Sequence, residues 1–409
     1  MACSVIIHTT SQEKNGSIIG DVPKHQHAGD ITDIKAKVIR ANLKLRAVNS
    51  DNNPLQVIAD TVKNANSPVM ARLGRIASMQ RLVQRARHEI IPQVDGNNIS
   101  DFILRDDLKM TEKNQLFLHQ CEIWCGDGTF RSVPVIFKQL YSLHGVIDGH
   151  TLPLVYVLSP CKSQSTYLKI LKKIKELMPD VITLRWMLTD FELSYINAFK
   201  TVFENVDVSG CFFHHTQCIW RHVQSEGLQQ WYNKNIRVVQ NIKMLMSLAF
   251  VPPNDVKEAY DELVKSEFYV ENEQRLSGLL DYYESTWIGV LKRNKVDRSA
   301  PMFSIELWNC YDSVINEEMK SNNGIEGWHH SFNALVRIYH ANLSKFISVL
   351  RTEQTIVELK LNHQDTGVSL PKRRRNYREY DARLKNVVAA YDPNNKLQYL
   401  KNVANVLRT

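Results

Sequence analysis

Apolar positions in the first quarter of the chain recur at helical spacing. Between about Thr32 and His88, Ile34, Val38, Ile39, Leu43 and Leu45 fall near a 3.6-residue period, and so do Leu73, Ile76, Met79, Leu82 and Val83. Asn66-Ser67-Pro68 breaks the pattern and supplies a helix start. From about Leu116 the period changes. Leu116–Trp124 reads as a strand leading into Gly126-Asp127-Gly128-Thr129, and Tyr141–Ile147 and Leu152–Leu158 read as a hairpin turned at Asp148-Gly149-His150. Thr166–Met178 carries Leu168, Ile170, Leu171, Ile174 and Leu177 at helical spacing and stops at Pro179. Ile182–Leu188 is another apolar strand, running into Thr189-Asp190-Phe191-Glu192. A helix from about Leu193 to Phe203 and a short strand at Val206–Val208 follow.

Three strands, a helix, a strand, a helix and a strand is the element order of an RNase H-like sheet. The expected fold class is therefore α/β, an RNase H-like mixed sheet preceded by a small helical region. Residues 228–318 are rich in Trp, Tyr and Leu without strand alternation, which predicts a large α-helical insertion in the sheet domain. Helical spacing resumes at Gly327–Leu361. The expected organisation is 1–30, 31–115 (helical and basic), 116–361 (the sheet domain with its insertion) and 362–409 (a basic C-terminal tail).

Hydrophobic residues make up 44% and charged residues 23%, enough for a packed core and unlike a disordered or fibrous chain. The net charge of +8 points to polyanionic partners, because neutralising phosphates releases counterions. Arg72, Arg75, Arg81, Arg85 and Arg87 lie beside an apolar helical stripe, where they are candidates for DNA-backbone contacts or for an ordinary solvated face. Seven irregularly spaced cysteines suit a reducing compartment better than a disulfide scaffold. No signal peptide is legible and no apolar run approaches about 18 residues, so no membrane span is expected. The basic run Lys372-Arg373-Arg374-Arg375 after Pro371 is a candidate nuclear address.

The carboxylates carry the candidate chemistry. Two-metal phosphoryl transfer needs several carboxylate oxygens converging on cations about 4 Å apart, and strand ends in mid-sheet hold such groups rigidly. Asp127 stands between two glycines, and Asp190 sits where a strand opens into a helix. In an RNase H-like sheet the first and fourth strands are neighbours, so the two aspartates would meet. Singly, each is an ordinary turn or cap residue; their order and joint placement make them a pair.

Five blocks resemble the Mutator-like element (MULE) transposase domain, in order, over roughly residues 50–360. They are Asp127-Gly128-Thr129-Phe130 with Gln139-Leu140-Tyr141-Ser142-Leu143-His144-Gly145, then Leu188-Thr189-Asp190-Phe191-Glu192, Gly210-Cys211-Phe212-Phe213-His214, Ala249-Phe250-Val251-Pro252-Pro253, and Asn322-Asn323-Gly324-Ile325-Glu326-Gly327-Trp328-His329. The resemblance implies a DDE-type transposase. Asp127, Asp190 and Glu326 would hold two Mg²⁺ or Mn²⁺ ions and cut and transfer double-stranded DNA at terminal inverted repeats. It also implies transposon ends and target DNA as partners, a homo-oligomer and a nuclear location. A domesticated, non-catalytic DNA-binding regulator is the alternative; it commonly loses an acid, and all three are present here.

Cys211 and His214 have metal-ligand spacing, but a single Cys-x-x-His pair is half a tetrahedral zinc site. Packing of the cysteine, with the imidazole turned toward the acids, is the competing expectation. Cys3, His25 and His27 resemble the second half of a FLYWCH-type zinc finger, a truncated copy lacking its first cysteine.

Overall fold

The computed structural model describes residues 30–48, 50, 52–90, 112–178, 183–294, 297–337, 341, 343–367 and 374–408, with a short strand pair at 8–9 and 18–19. Cys3, His25, His27, Lys372 and Arg373 lie outside the described residues. The chain divides into two compact units, Met1–Asp95 and Gly96–Thr409.

In the first unit, β1 (His8–Thr9) pairs antiparallel with β2 (Ile18–Ile19). Helices α1 (Ile31–Val48), α2 (Pro54–Val62), α3 (Ser67–Leu73) and α4 (Ile76–Ile90) follow. The asparagines start helices here. Asn53 Oδ1 accepts from the Leu55 amide at 3.0 Å and Asn66 Oδ1 from the Val69 amide at 3.2 Å, with proline in each first turn. Ala36, Leu43 and Ala47 of α1 pack against Val57, Ile58, Val69, Leu73, Met79 and Val83. The periodic residues Ile34, Val38 and Leu45 lie outside that core, 56%, 54% and 63% exposed. The small alanines let α1 approach the short helices, so the buried stripe runs through Ala36 and Ala47 instead.

The five arginines do not form one row. Arg72 belongs to α3 and pairs with Asp30 and Asp33 at 3.2 and 3.4 Å. Half-buried Arg87 donates to the carbonyls of Ala47, Ser50 and Asn52, tying α4 to the end of α1. Arg75, Arg81 and Arg85 are exposed.

The second unit opens with α5 (Glu112–Gln120), which corrects the strand expected from Leu116: Phe117 and Leu118 are buried side by side in a helix that packs on the sheet. The boundary between units accordingly falls ahead of α5 rather than at residue 115. The sheet comprises β3 (Ile123–Thr129), β4 (Gln139–Ile147), β5 (His150–Ser159), β6 (Trp186–Thr189) and β7 (Asp207–Gly210), in the order β5-β4-β3-β6-β7. β4 runs antiparallel to β3 and β5, whereas β3, β6 and β7 are parallel. Between β4 and β5, Asp148 and Gly149 take φ of 48° and 75°, the left-handed pair that a two-residue hairpin requires. Helices α6 (Gln164–Glu176) and α7 (Leu193–Val202) connect the later strands. The result is a mixed α/β fold with a five-stranded mixed sheet.

Alternation along the strands separates two faces. Trp124, Tyr141, Leu143 and Met187 bury against α5, α6 and α7. Cys125 and Leu188 point the other way, toward Cys211 and Ile325. That second face carries the site.

Beyond β7 the chain is largely helical: α8 (Phe212–Ser225), α9 (Gln229–Lys234), α10 (Ile236–Ser247), α11 (Val256–Val264), α12 (Glu267–Glu271), α13 (Glu273–Tyr283), α14 (Ile305–Trp308), α15 (Tyr311–Ile315), α16 (Asn323–Val336) and α17 (Leu343–Asp365). The expected C-terminal tail instead contributes α18 (Arg375–Ala389) and α19 (Lys396–Val406), whose Leu384, Val388, Leu400 and Val403 bury in one core with Leu245, Phe250, Tyr283, Trp287 and Trp308. Apolar residues at helical spacing outweigh the basic surplus there. Among the described residues, no helix is long and apolar enough to cross a membrane.

In that core His215 of α8 stacks on Trp308, ring centroids 5.1 Å apart, and meets Trp287 edge-on at 4.6 Å. Neither ring nitrogen has a hydrogen-bond partner, and burial pulls its pKa down to about 3. The folded value lies below the unfolded value of about 6.5, so the neutral ring's contribution is complete above pH 6.5 and is lost as the pH falls toward 3. The loss is about 1.4 kcal/mol per pH unit, or about 2 kcal/mol at pH 5. His215→Phe is therefore expected to narrow the gap between melting temperatures at pH 7 and pH 5. An unchanged gap would remove His215 as the cause.

Candidate metal centre

The parallel ladder pairs Cys125 of β3 with Leu188 of β6. Two residues further along, Asp127 and Asp190 leave the same face of the sheet at its carboxyl-terminal end. Asp127 still pairs with Ser142 of β4 and so lies within the strand, rather than after it. Asp190 follows β6 directly, and α16 crosses this face carrying Glu326 in its first turn. Gly324 permits the close crossing, since a side chain there would strike Thr151 of β5. Asp127 and Glu326, from distant parts of the chain, are thus brought together, while Asp190 stands on the same face, near enough to raise the Asp127 pKa but outside the group of ligand atoms within 4.8 Å.

Two imidazoles join them. His214, in the first turn of α8, sets Nε2 3.3 Å from Glu326 Oε1 and 3.8 Å from Asp127 Oδ2. His329 of α16 sets Nδ1 3.7 Å from Asp127 Oδ2. Among the described residues, Asp127, Glu326 and His329 form the group whose ligand atoms lie close enough to hold a metal ion, all within 4.8 Å of one another. Sequence reasoning missed His329. The available signal was the Glu326-x-x-His329 spacing, which puts both side chains on one helix face.

The electrostatics fit a cation. Asp127 is 4% exposed. Burial, against the pull of His214 and reinforced by Asp190 and Glu326, raises its pKa to about 8. Burial likewise raises Asp190, opposed by His214, with Glu192 raising and Lys162 lowering it. Burial works against the His214 cation, yet the hydrogen bond to Glu326 outweighs it and raises the His214 pKa. Glu326 is held below its usual range by His214. Without a metal, one imidazolium is the principal counter-ion of a carboxylate cluster. Hard carboxylate oxygens plus an imidazole are a donor set that divalent cations accept, and a cation would return Asp127 to its ionised form.

The Cys211 thiol and the His214 imidazole have different main partners. Buried Cys211 Sγ donates to Asn322 Oδ1 at 2.8 Å and accepts from the Asn322 amide at 3.3 Å, while His214 faces the acids. The sulfur clamps the N-terminal end of α16 and so positions Glu326. On the other flank, Lys162 pairs with Glu192 at 2.6 Å and lies over the Phe130 ring, 4.5 Å from its centroid.

No protein-family model matches the chain, and no curated protein matches it. Among solved structures, the chain is similar to a Drosophila P element transposase strand transfer complex at 10% identity, over 94% of this chain and 93% of that chain, with a TM-score of 0.24.

Proposed function

We propose that the chain is a metal-dependent DDE-type DNA transposase or endonuclease of the MULE type, built on an RNase H-like sheet. The observation that carries this reading is the cluster of Asp127, Glu326 and His329 on one sheet face, with Asp190 at the end of the neighbouring strand. The strand order, with the first and fourth strands of the sheet adjacent, supports the fold assignment, and the five ordered sequence blocks support the family.

Asp127, Asp190, Glu326 and His329 would hold the cations. When bound, Mg²⁺ or Mn²⁺ supplies charge neutralisation at the phosphate and lowers the pKa of the attacking water. His214 stands beside the acid cluster, Nε2 3.3 Å from Glu326, where its ring N–H can orient a phosphate oxygen. Lys162, held by Glu192, stands beside Asp190 as a second phosphate contact. Exposed Arg75, Arg81 and Arg85 offer backbone contacts to double-stranded DNA, which fix register without reading sequence. Cleavage at transposon ends, transfer to target DNA, homo-oligomerisation and nuclear residence belong to the same proposal. Zinc at Cys3, His25 and His27 is outside it.

The test is nicking of supercoiled DNA by purified protein with Mg²⁺ or Mn²⁺, beside an Asp190→Asn variant of matched circular dichroism. Cutting by the wild type alone supports the proposal. Binding without cutting by either protein refutes the catalytic reading and leaves a DNA-binding regulator.

A further inference from the structure

A line of polar side chains runs from Asp127 into the sheet interior. Ser142 and His144 of β4 are fully buried and share the face of Asp127. Ser142 Oγ lies 2.9 Å from His144 Nε2, 3.5 Å from His329 Nε2 and 3.4 Å from the Asp127 carbonyl oxygen. Trp328 closes the group, its ring meeting His144 edge-on at 5.2 Å.

We propose that His329 is a nitrogen ligand, through Nδ1, to the cation held by Asp127 and Glu326, and that Ser142 and His144 fix it in that orientation, biasing the site toward Mn²⁺ over Mg²⁺. The inference rests on reading the acids as a divalent-cation site.

Hydrogen-bond satisfaction sets the orientation. His144 Nδ1 has no partner. A buried N–H without an acceptor is costlier than a spare lone pair, so the His144 proton belongs on Nε2, pointing at Ser142 Oγ. The Ser142 carbonyl contact takes that hydroxyl's single proton, to the Asp127 oxygen. The remaining Ser142 lone pair faces His329 Nε2 at 3.5 Å, placed to accept its N–H when Nδ1 binds a cation. In that tautomer His329 Nδ1 presents a lone pair toward an Asp127 carboxylate oxygen 3.7 Å away. At that distance the two atoms share no hydrogen bond, and they are spaced as two ligands of one ion. Two ligands of one cation, each about 2.1 Å from it, stand roughly 3–4 Å apart. A hydrogen-bonded second nitrogen is the arrangement that fixes tautomer and ring orientation in metal-bound histidines. Mg²⁺ favours an all-oxygen octahedron, whereas an imidazole suits the later divalent metals.

The experiment is pulsed EPR on the full-length protein loaded with Mn²⁺, unlabelled and ¹⁵N-histidine-labelled. A directly bonded histidine nitrogen is expected, lost in His329→Gln and retained in His214→Gln. Ser142→Ala is expected to weaken Mn²⁺ binding about tenfold. The preference for Mn²⁺ over Mg²⁺, from competition titration, should shrink in His329→Gln. Mn²⁺ bound in an Asp127-dependent manner without nitrogen coupling, or with coupling that follows His214, overturns the proposal while leaving the acid site intact. Absence of Mn²⁺ binding to the wild type overturns both.

Discussion

Asp127→Asn is expected to lose cation-dependent strand cleavage by about a thousandfold or more while melting no lower than the wild type in metal-free buffer. A loss of that size corresponds to about 4 kcal/mol of transition-state stabilisation, within reach of a cation that loses a ligand. The stability half of the expectation follows from the cation-free site. Asp127 is buried among other carboxylates, and its folded pKa of about 8 lies above its unfolded value. Its contribution is therefore full below the unfolded pKa near 4 and declines as the pH rises to about 8. Without metal, the wild type should thus lose stability between pH 5 and pH 8 more steeply than Asp127→Asn, and added Mn²⁺ should remove the difference. Melting curves across that range check the slope, and plasmid nicking checks the rate. Retained cleavage in the folded variant would separate Asp127 from the chemistry.

Trp287→Ala is expected to destabilise the helical part of the second unit by about 3–5 kcal/mol. Trp287 is fully buried and meets Phe191 at 4.8 Å, His215 at 4.6 Å and Phe303 at 5.1 Å, and its carbonyl accepts from Trp308 Nε1 at 3.2 Å. Removing the indole leaves a cavity on several sides at once. Phe191 directly follows Asp190, so the substitution also takes away the packing that steadies that carboxylate. A fall in melting temperature of roughly 10 °C is expected, with Mn²⁺ affinity reduced at temperatures where the protein stays folded. Near-wild-type melting would mean that this core is not what holds the helical region together.

How far the sequence revealed this arrangement depended on the range of the interactions. The hairpin was legible because Asp148-Gly149 satisfies a local backbone demand between two apolar runs. Asp127 and Asp190 were legible as a pair because each stands at the end of a strand-like segment. The segment from Leu116 was misread because a short apolar run does not separate strand from helix, and only packing of Phe117 and Leu118 on the sheet decides it. Cys211-x-x-His214 suggested a metal by local spacing. Its sulfur instead bonds Asn322, a partner far along the chain that no local pattern announces. The basic run at 372–375 reads as the start of a tail, whereas Leu384, Val388, Leu400 and Val403 beyond it build two buried helices. His329 lay in view, one helical turn beyond Glu326, but its role appears only when α16 lies across β3 and β4.

Mn²⁺ binding, followed by loss of the free-ion EPR signal, tests the central claim most directly. The wild type should take up Mn²⁺, and Asp127→Asn, Asp190→Asn and Glu326→Gln, each shown to be folded, should bind it at least about tenfold more weakly. Uptake that is the same in all four proteins would place the cation elsewhere and contradict the account.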